Sequence, residues 1–176
     1  MTPHVTTHAT THITYAVRPI GPLILKRLRS ADDAGRQLVP VQDEEGGSPL
    51  RCCLRHSAPG EHIALVSYAP LRRWAAETGA EPGAYDEQGP VFIHAEAEAC
   101  GGPAAGEGYP FARARRVLRR YSGEGRILGG RLVEPVGEGA DAFGEAFAEA
   151  FADPEVAVVH VRTVEYGCFL YEVRRG

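Results

Sequence analysis

Alternation of apolar and polar side chains is densest near the C-terminus. There the runs Val156-Ala157-Val158-Val159-His160-Val161-Arg162 and Cys168-Phe169-Leu170-Tyr171-Glu172-Val173 flank a turn around Thr163 to Gly167. β-Branched and aromatic runs separated in this way predict an antiparallel hairpin. Side chains alternate faces along a strand, so Ala157, Val159 and Val161 share one face and Val158, His160 and Arg162 the other. The first face is apolar throughout. The second carries an imidazole and a guanidinium, and a short loop sets Cys168 opposite or diagonal to His160.

Upstream, Ile13 to Val17 reads as a strand, and Pro22 to Leu28 as a short helix with proline in its first turn. The acidic turn chemistry of Asp43 to Pro49 predicts a surface loop. Leu50 to His56 and His62 to Tyr68 are joined through Pro59-Gly60, the residues a type II turn requires, which predicts a second hairpin. Leu71 to Thr78 suggests a helical turn, Glu81 to Tyr85 a loop, and Val91 to Glu96 a strand with His94 and Glu96 on the face of Phe92. The glycine-rich stretch Cys100 to Gly108 is a loop. Phe111, Ala114, Val117, Leu118 and Tyr121 fall into one helical stripe with arginines on the remaining surface, so Phe111 to Tyr121 is expected to be a helix. Arg126 to Val133 follows as a strand in which Gly129-Gly130 weakens the pairing or marks a bulge. Phe143, Phe147 and Phe151 at four-residue spacing make a helix that begins at Asp141 and stops before Pro154.

Strands joined by tight turns with helices between them predict an α+β fold, a mostly antiparallel sheet with two or three packed helices in a single domain, residues 13–176. Residues 1–12 are Thr-rich without a core-forming pattern and read as a flexible tail. His4, His8 and His12 would line one side of a helix, but threonine is a poor helix former and Pro3 lacks the amide N–H of an amino-terminal copper site.

The 176 residues, 44% hydrophobic with a formal charge of −4, suffice for one core without disulfides or metal. The weak acidic balance gives no general argument for nucleic acid, and arginines on one face of a helix are ordinarily its solvated side. No apolar run reaches the roughly 18 residues of a membrane helix, and no basic stretch followed by an apolar core opens the chain. A cytoplasmic protein with reduced thiols is therefore expected. The four cysteines, Cys52, Cys53, Cys100 and Cys168, show no C-x-x-C spacing, so sequence spacing assigns neither a metal nor a cofactor. Phosphate-loop, dinucleotide and nucleophile-elbow motifs are absent as well.

The candidate chemistry lies in histidine, arginine and cysteine. Cys168 with His160 or His94 has the composition of a thiol nucleophile and its base; alternatively Cys168 is a small buried hydrophobe. Arg162 can hold a carboxylate or phosphate while His160 exchanges a proton, or both line a solvated face, with Arg162 paired to Glu172. Glu96 and Tyr68 complete the ligand-binding set. His94, Glu96 and His160 also have the composition of an open metal site, although no longer motif supports one.

The succession Pro59-Gly60-Glu61, Gly89-Pro90-Val91-Phe92-Ile93-His94, Leu118-Arg119-Arg120-Tyr121, Phe151-Ala152-Asp153-Pro154, Val159-His160-Val161-Arg162 and Gly167-Cys168-Phe169 resembles a bacterial family catalogued as a domain of unknown function, number 1203. The resemblance runs from about Ile13 to Arg174. It implies no activity, cofactor or catalytic residue, but places His94, His160, Arg162 and Cys168 inside the family-like motifs. The family has a Pro-Cys-Arg order where this chain reads Leu50-Arg51-Cys52-Cys53-Leu54, so neither Arg51 nor Cys52 takes a role from it. The expectation is a small-molecule enzyme or ligand-binding protein in which Arg162 holds an anionic or carbonyl-containing ligand, His160 is acid or base, and Cys168 is nucleophile or pocket wall. The competing expectation is a non-catalytic interaction module in which those polar residues are structural and an exposed surface, such as the arginine helix, does the work; homodimerisation is open in either case.

Overall fold

The aromatic helix forms where its phenylalanines dictate, and the larger of two sheets is built against it. In the computed structural model, which describes residues 15–103, 108–135 and 141–175, α3 spans Ala142–Ala152. Asp141 caps it by accepting from the Gly144 backbone N–H at 2.8 Å. Phe143, Phe147 and Phe151 are all buried on one face. Burial of each such side chain stabilises by roughly 1.5–3 kcal/mol, which is enough to dock the helix on whatever sheet faces it.

That sheet has the order β1-β10-β9-β7-β8, antiparallel throughout, with β1 at Tyr15–Arg18, β7 at Arg116–Ser122, β8 at Ile127–Val133, β9 at Val156–Thr163 and β10 at Phe169–Arg175. The predicted C-terminal hairpin is β9–β10, and its turn is closed by the Thr163 N–H donating to the Cys168 carbonyl at 3.0 Å. The second sheet has the order β2-β5-β6-β3-β4, with β2 at Val41–Asp43, β3 at Pro49–Leu50, β4 at Arg55–His56, β5 at Glu61–Tyr68 and β6 at Gly89–His94. Its single parallel pair is β3 with β6. Helix α1, Pro22–Ser30, packs Leu25 and Leu28 into the core of this sheet, and α2, Pro70–Thr78, sets Leu71 and Trp74 against Tyr121 and Val158 of the first. The fold is therefore α+β, with two sheets in place of one. Among the described residues, no helix is long and apolar enough to cross a membrane.

Three expectations are corrected. Residues 111–121 do not form a helix. Phe111 has φ +57°, outside the right-handed helical region, and Arg116–Ser122 is a strand. β7 runs between β8 and β9 and is buried on both faces: Leu118 meets the α3 core while Tyr121 meets Trp74. Two buried residues three apart on opposite faces of a strand imitate a helical stripe. The arginine-bearing helix of the interaction-module expectation is accordingly not formed.

Leu50 to His56 does not pair with His62 to Tyr68. β3 and β4 fold on each other, and β5 pairs with β2 and β6. The turn chemistry at Pro59-Gly60 is nevertheless as read: Gly60 has φ +85° and the Glu61 N–H donates to the Ala58 carbonyl.

Cys168 does not face His160. Glu172 does, because the register shifts between Phe169 and Tyr171. The proposed tail, with His4, His8 and His12, lies outside the described residues.

Candidate functional site

Tyr68, Arg162 and Cys168 come together; His160, His94 and Glu96 do not join them. The three line a pocket of about 230 Å3 between the start of β10 and the loop before β6, together with Glu87, Gly89 and Phe169. Arg162 is 6% exposed. Its Nη1 donates to the Gly167 carbonyl at 2.9 Å, and its Nη2 lies 2.5 Å from Glu87 Oε1. Arg119 Nη1 donates to the same oxygen at 2.5 Å. Two guanidiniums thus close on one carboxylate carried by an exposed loop residue, whereas Glu172, the partner considered from sequence, pairs with Arg174 at 2.7 Å. Nε of Arg162 is buried without a hydrogen-bond partner.

His160 stands behind this pocket. It is fully buried, its ring centroid 4.7 Å from that of Tyr121 and 5.1 Å from that of Phe169. Neither ring nitrogen has a partner, and Nε2 is 4.0 Å from Glu172 Oε2. Burial, reinforced by the charges of Arg162, Arg119 and Arg174, holds its pKa well below 6.5, so the ring is neutral at pH 7. The shared hollow expected for His160 and Arg162 does not form, because Phe169 fills the space in front of the imidazole. Glu96 is exposed beyond the end of β6.

His94 belongs to a different constellation, which spacing along the chain did not reveal. Cys52 and Cys53 occupy the turn between β3 and β4, closed by the Leu54 N–H donating to the Leu50 carbonyl at 2.9 Å, with Leu54 at φ +57°. In an extended strand, adjacent residues point to opposite faces. In this turn both sulfurs face the same way, 3.9 Å apart. The imidazole ending β6 presents Nδ1 to them, 3.2 Å from Cys52 Sγ and 3.8 Å from Cys53 Sγ. Cys100 follows in the next loop, and the ligand atoms of Cys52, Cys53, His94 and Cys100 all lie within 4.8 Å of one another. On the far side of the ring, Nε2 is 3.1 Å from Arg55 Nη2 and 3.5 Å from Glu61 Oε1. Arg55 grips both oxygens of Glu61, at 2.9 and 2.6 Å, and holds that carboxyl down at about 2. Within the thiol pair, Cys52 donates to Cys53; this hydrogen bond is the largest cause drawing Cys53 toward the thiolate, and Cys52 is pushed up correspondingly. Cys52 and Cys100 also border a cleft of about 630 Å3 whose opposite wall carries Leu25, Lys26 and Arg29 of α1.

A family profile described as "Protein of unknown function (DUF1203)" matches residues 47–175, most of the chain. The chain belongs to that family. No curated protein and no solved structure matches it.

Proposed function

We infer that the protein binds a small ligand bearing a carboxylate or phosphate in the pocket of Tyr68, Arg162 and Cys168. The observation that carries this reading is the double-guanidinium clamp: Arg162 and Arg119 both reach Glu87 Oε1 at 2.5 Å. Charge-assisted hydrogen bonds of this kind are about twice as strong as neutral ones, and arginine suits planar oxyanions. Glu87 is exposed, so its carboxylate can leave the clamp to solvent while Arg162 stays fixed by the Gly167 carbonyl. A ligand oxyanion then takes the position of Glu87 Oε1, with the Tyr68 ring and the Cys168 thiol as pocket wall. His160, screened by Phe169, takes no part in contacting it.

Calorimetric titration with succinate, citrate and inorganic phosphate tests the reading. Glu87→Ala removes the internal competitor and is expected to bind at least one of these probes about tenfold more tightly than the unaltered protein. Arg162→Lys keeps the charge, loses the fork, and is expected to weaken binding by about tenfold, in the range for a charged hydrogen bond. Absence of saturable binding to all three probes in both the unaltered protein and Glu87→Ala overturns it.

A further inference from the structure

Away from the anion pocket, we propose that Cys52, Cys53, Cys100 and His94 bind one divalent transition-metal ion of the zinc class in tetrahedral coordination. Three thiolates and one imidazole are a recurrent donor set for such an ion, with metal–sulfur bonds near 2.3 Å and metal–nitrogen bonds near 2.0 Å. A tetrahedron with those bonds has edges of about 3.8 Å between sulfurs. The sulfurs of Cys52 and Cys53 are already 3.9 Å apart, and Cys53 Sγ is 3.8 Å from the imidazole Nδ1. With all four donor atoms inside 4.8 Å, rotamer-scale movements close the shell.

Groups around the donors fit the same purpose. A metal-bound imidazole donates its other ring N–H to a carboxylate or carbonyl, which fixes the tautomer. With Nδ1 on the ion, the proton of His94 sits on Nε2, and Glu61 Oε1, 3.5 Å away, becomes the acceptor once Arg55 Nη2, a donor 3.1 Å from the same nitrogen, turns aside. Without the ion, the ring proton sits on Nδ1 toward Cys52, and Nε2 accepts from Arg55 at 3.1 Å. Loading therefore moves the ring proton across the imidazole and releases the thiol protons to solvent. The Cys52 sulfur also accepts the backbone N–H of His94 at 3.3 Å, a contact that stabilises thiolate charge. Soft sulfur donors select zinc-class ions over magnesium or calcium. The cleft bordered by Cys52 and Cys100 provides the way in.

Four protein donors leave no open position, so the ion is structural. It ties together the β3–β4 turn, the end of β6 and the loop reaching Cys100. Glu61 is a positioning residue, acting through His94.

The test is cobalt(II) titration of the full chain, produced without an affinity tag and reduced beforehand. Expected are sulfur-to-cobalt charge-transfer absorption and the intense visible bands of tetrahedral cobalt, saturating at one equivalent and displaced by zinc. Cys100→Ser and His94→Ala are expected to lose the saturating spectrum. Glu61→Ala is expected to weaken binding roughly 10- to 100-fold, the usual effect of removing such a partner. His62→Ala, an exposed imidazole on the adjacent strand, is expected to bind as the unaltered protein does. Binding to the N-terminal histidines alone would give no sulfur band and would overturn the proposal, as would a weak octahedral spectrum. Failure of the unaltered reduced chain to take up cobalt overturns it without recourse to any variant, and neither result decides whether the other pocket binds an anion.

Discussion

The imidazole of His160 makes stability depend on pH in a calculable way. It is fully buried with no partner at either nitrogen. The groups packed around it are Arg162 on its own strand, Arg119 and Tyr121 on β7, and Phe169, Glu172 and Arg174 on β10. Burial first, and then the three guanidiniums, depress its pKa well below the 6.5 of an unfolded chain. Between those two values the unfolded chain binds the proton and the folded one does not, so stability is fully present above pH 6.5 and falls as pH drops. The slope is at most about 1.4 kcal/mol per pH unit for one group, a loss incurred over each unit in which the unfolded ring is protonated and the folded one is not. In urea, each such unit shifts the unfolding midpoint by at most about 1 M for a typical chain of this size. His56 is depressed in the same direction by burial, and Glu172, raised by burial, acts with the opposite sign toward lower pH. The readout is therefore the difference in slope between the unaltered protein and His160→Leu, measured by urea unfolding from about pH 7.5 to 5. A variant slope shallower by close to one proton is expected whatever the variant's absolute stability. Parallel curves for the two proteins would refute the reasoning, since they would place the protonation elsewhere.

Two further substitutions test how the fold is held. Arg51 is 3% exposed, its Nε donates to the Phe169 carbonyl at 2.8 Å, and its Nη1 donates to the Pro49 carbonyl; Arg51→Met is expected to cost about 2–3 kcal/mol in chemical unfolding, because buried acceptors lose a charged donor, and a cost below about 0.5 kcal/mol would show that the contact contributes nothing net. The Asp32 carboxylate accepts backbone N–H groups from Ala34, Arg36 and Ser67 at 3.0, 2.8 and 2.9 Å; Asp32→Ala is expected to lose about 2–3 kcal/mol by the same measurement, with an unchanged midpoint as the contrary result.

Where one face of an element is buried, periodicity in the sequence locates it. The phenylalanine helix and the C-terminal hairpin are of this kind, as is the proline-led α1. The pattern misleads at β7, which is covered on both sides: Leu118 and Tyr121 satisfy two different cores, and their spacing of three then imitates a helix turn. The chemistry was legible to a similar degree. Alternation put Arg162 and His160 on one face, but it did not bring Tyr68 to Arg162 and Cys168, and it set Cys168 rather than Glu172 against His160, which is fully buried and lines no part of the pocket. Cys52 and Cys53 lack C-x-x-C spacing, and two adjacent residues in a strand diverge; only the tight turn ending at Leu54 makes these two converge. The signal available was the Gly-free segment Arg51-Cys52-Cys53-Leu54 between two very short strands, which periodicity alone does not expose.

Arg51 explains why the two sites, though distinct, are mechanically adjacent. It precedes Cys52 directly, and its guanidinium is bonded to the carbonyl of Phe169, which directly follows Cys168. Phe169 in turn lies 5.4 Å from the Tyr68 ring, so the cysteine turn, the start of β10 and the end of β5 meet at a buried contact. The charge there is tolerated because its donors reach backbone carbonyls; burial lowers its pKa to about 10, which leaves it cationic at neutral pH. Fixing the β3–β4 turn, as a bound ion would, thus fixes the donor that holds the pocket's β10 edge, while Glu87 is held by Arg162 and Arg119 rather than by Arg51. On this geometry, loss of the ion should loosen the Cys168 side of the pocket and leave the guanidinium clamp on Glu87 in place.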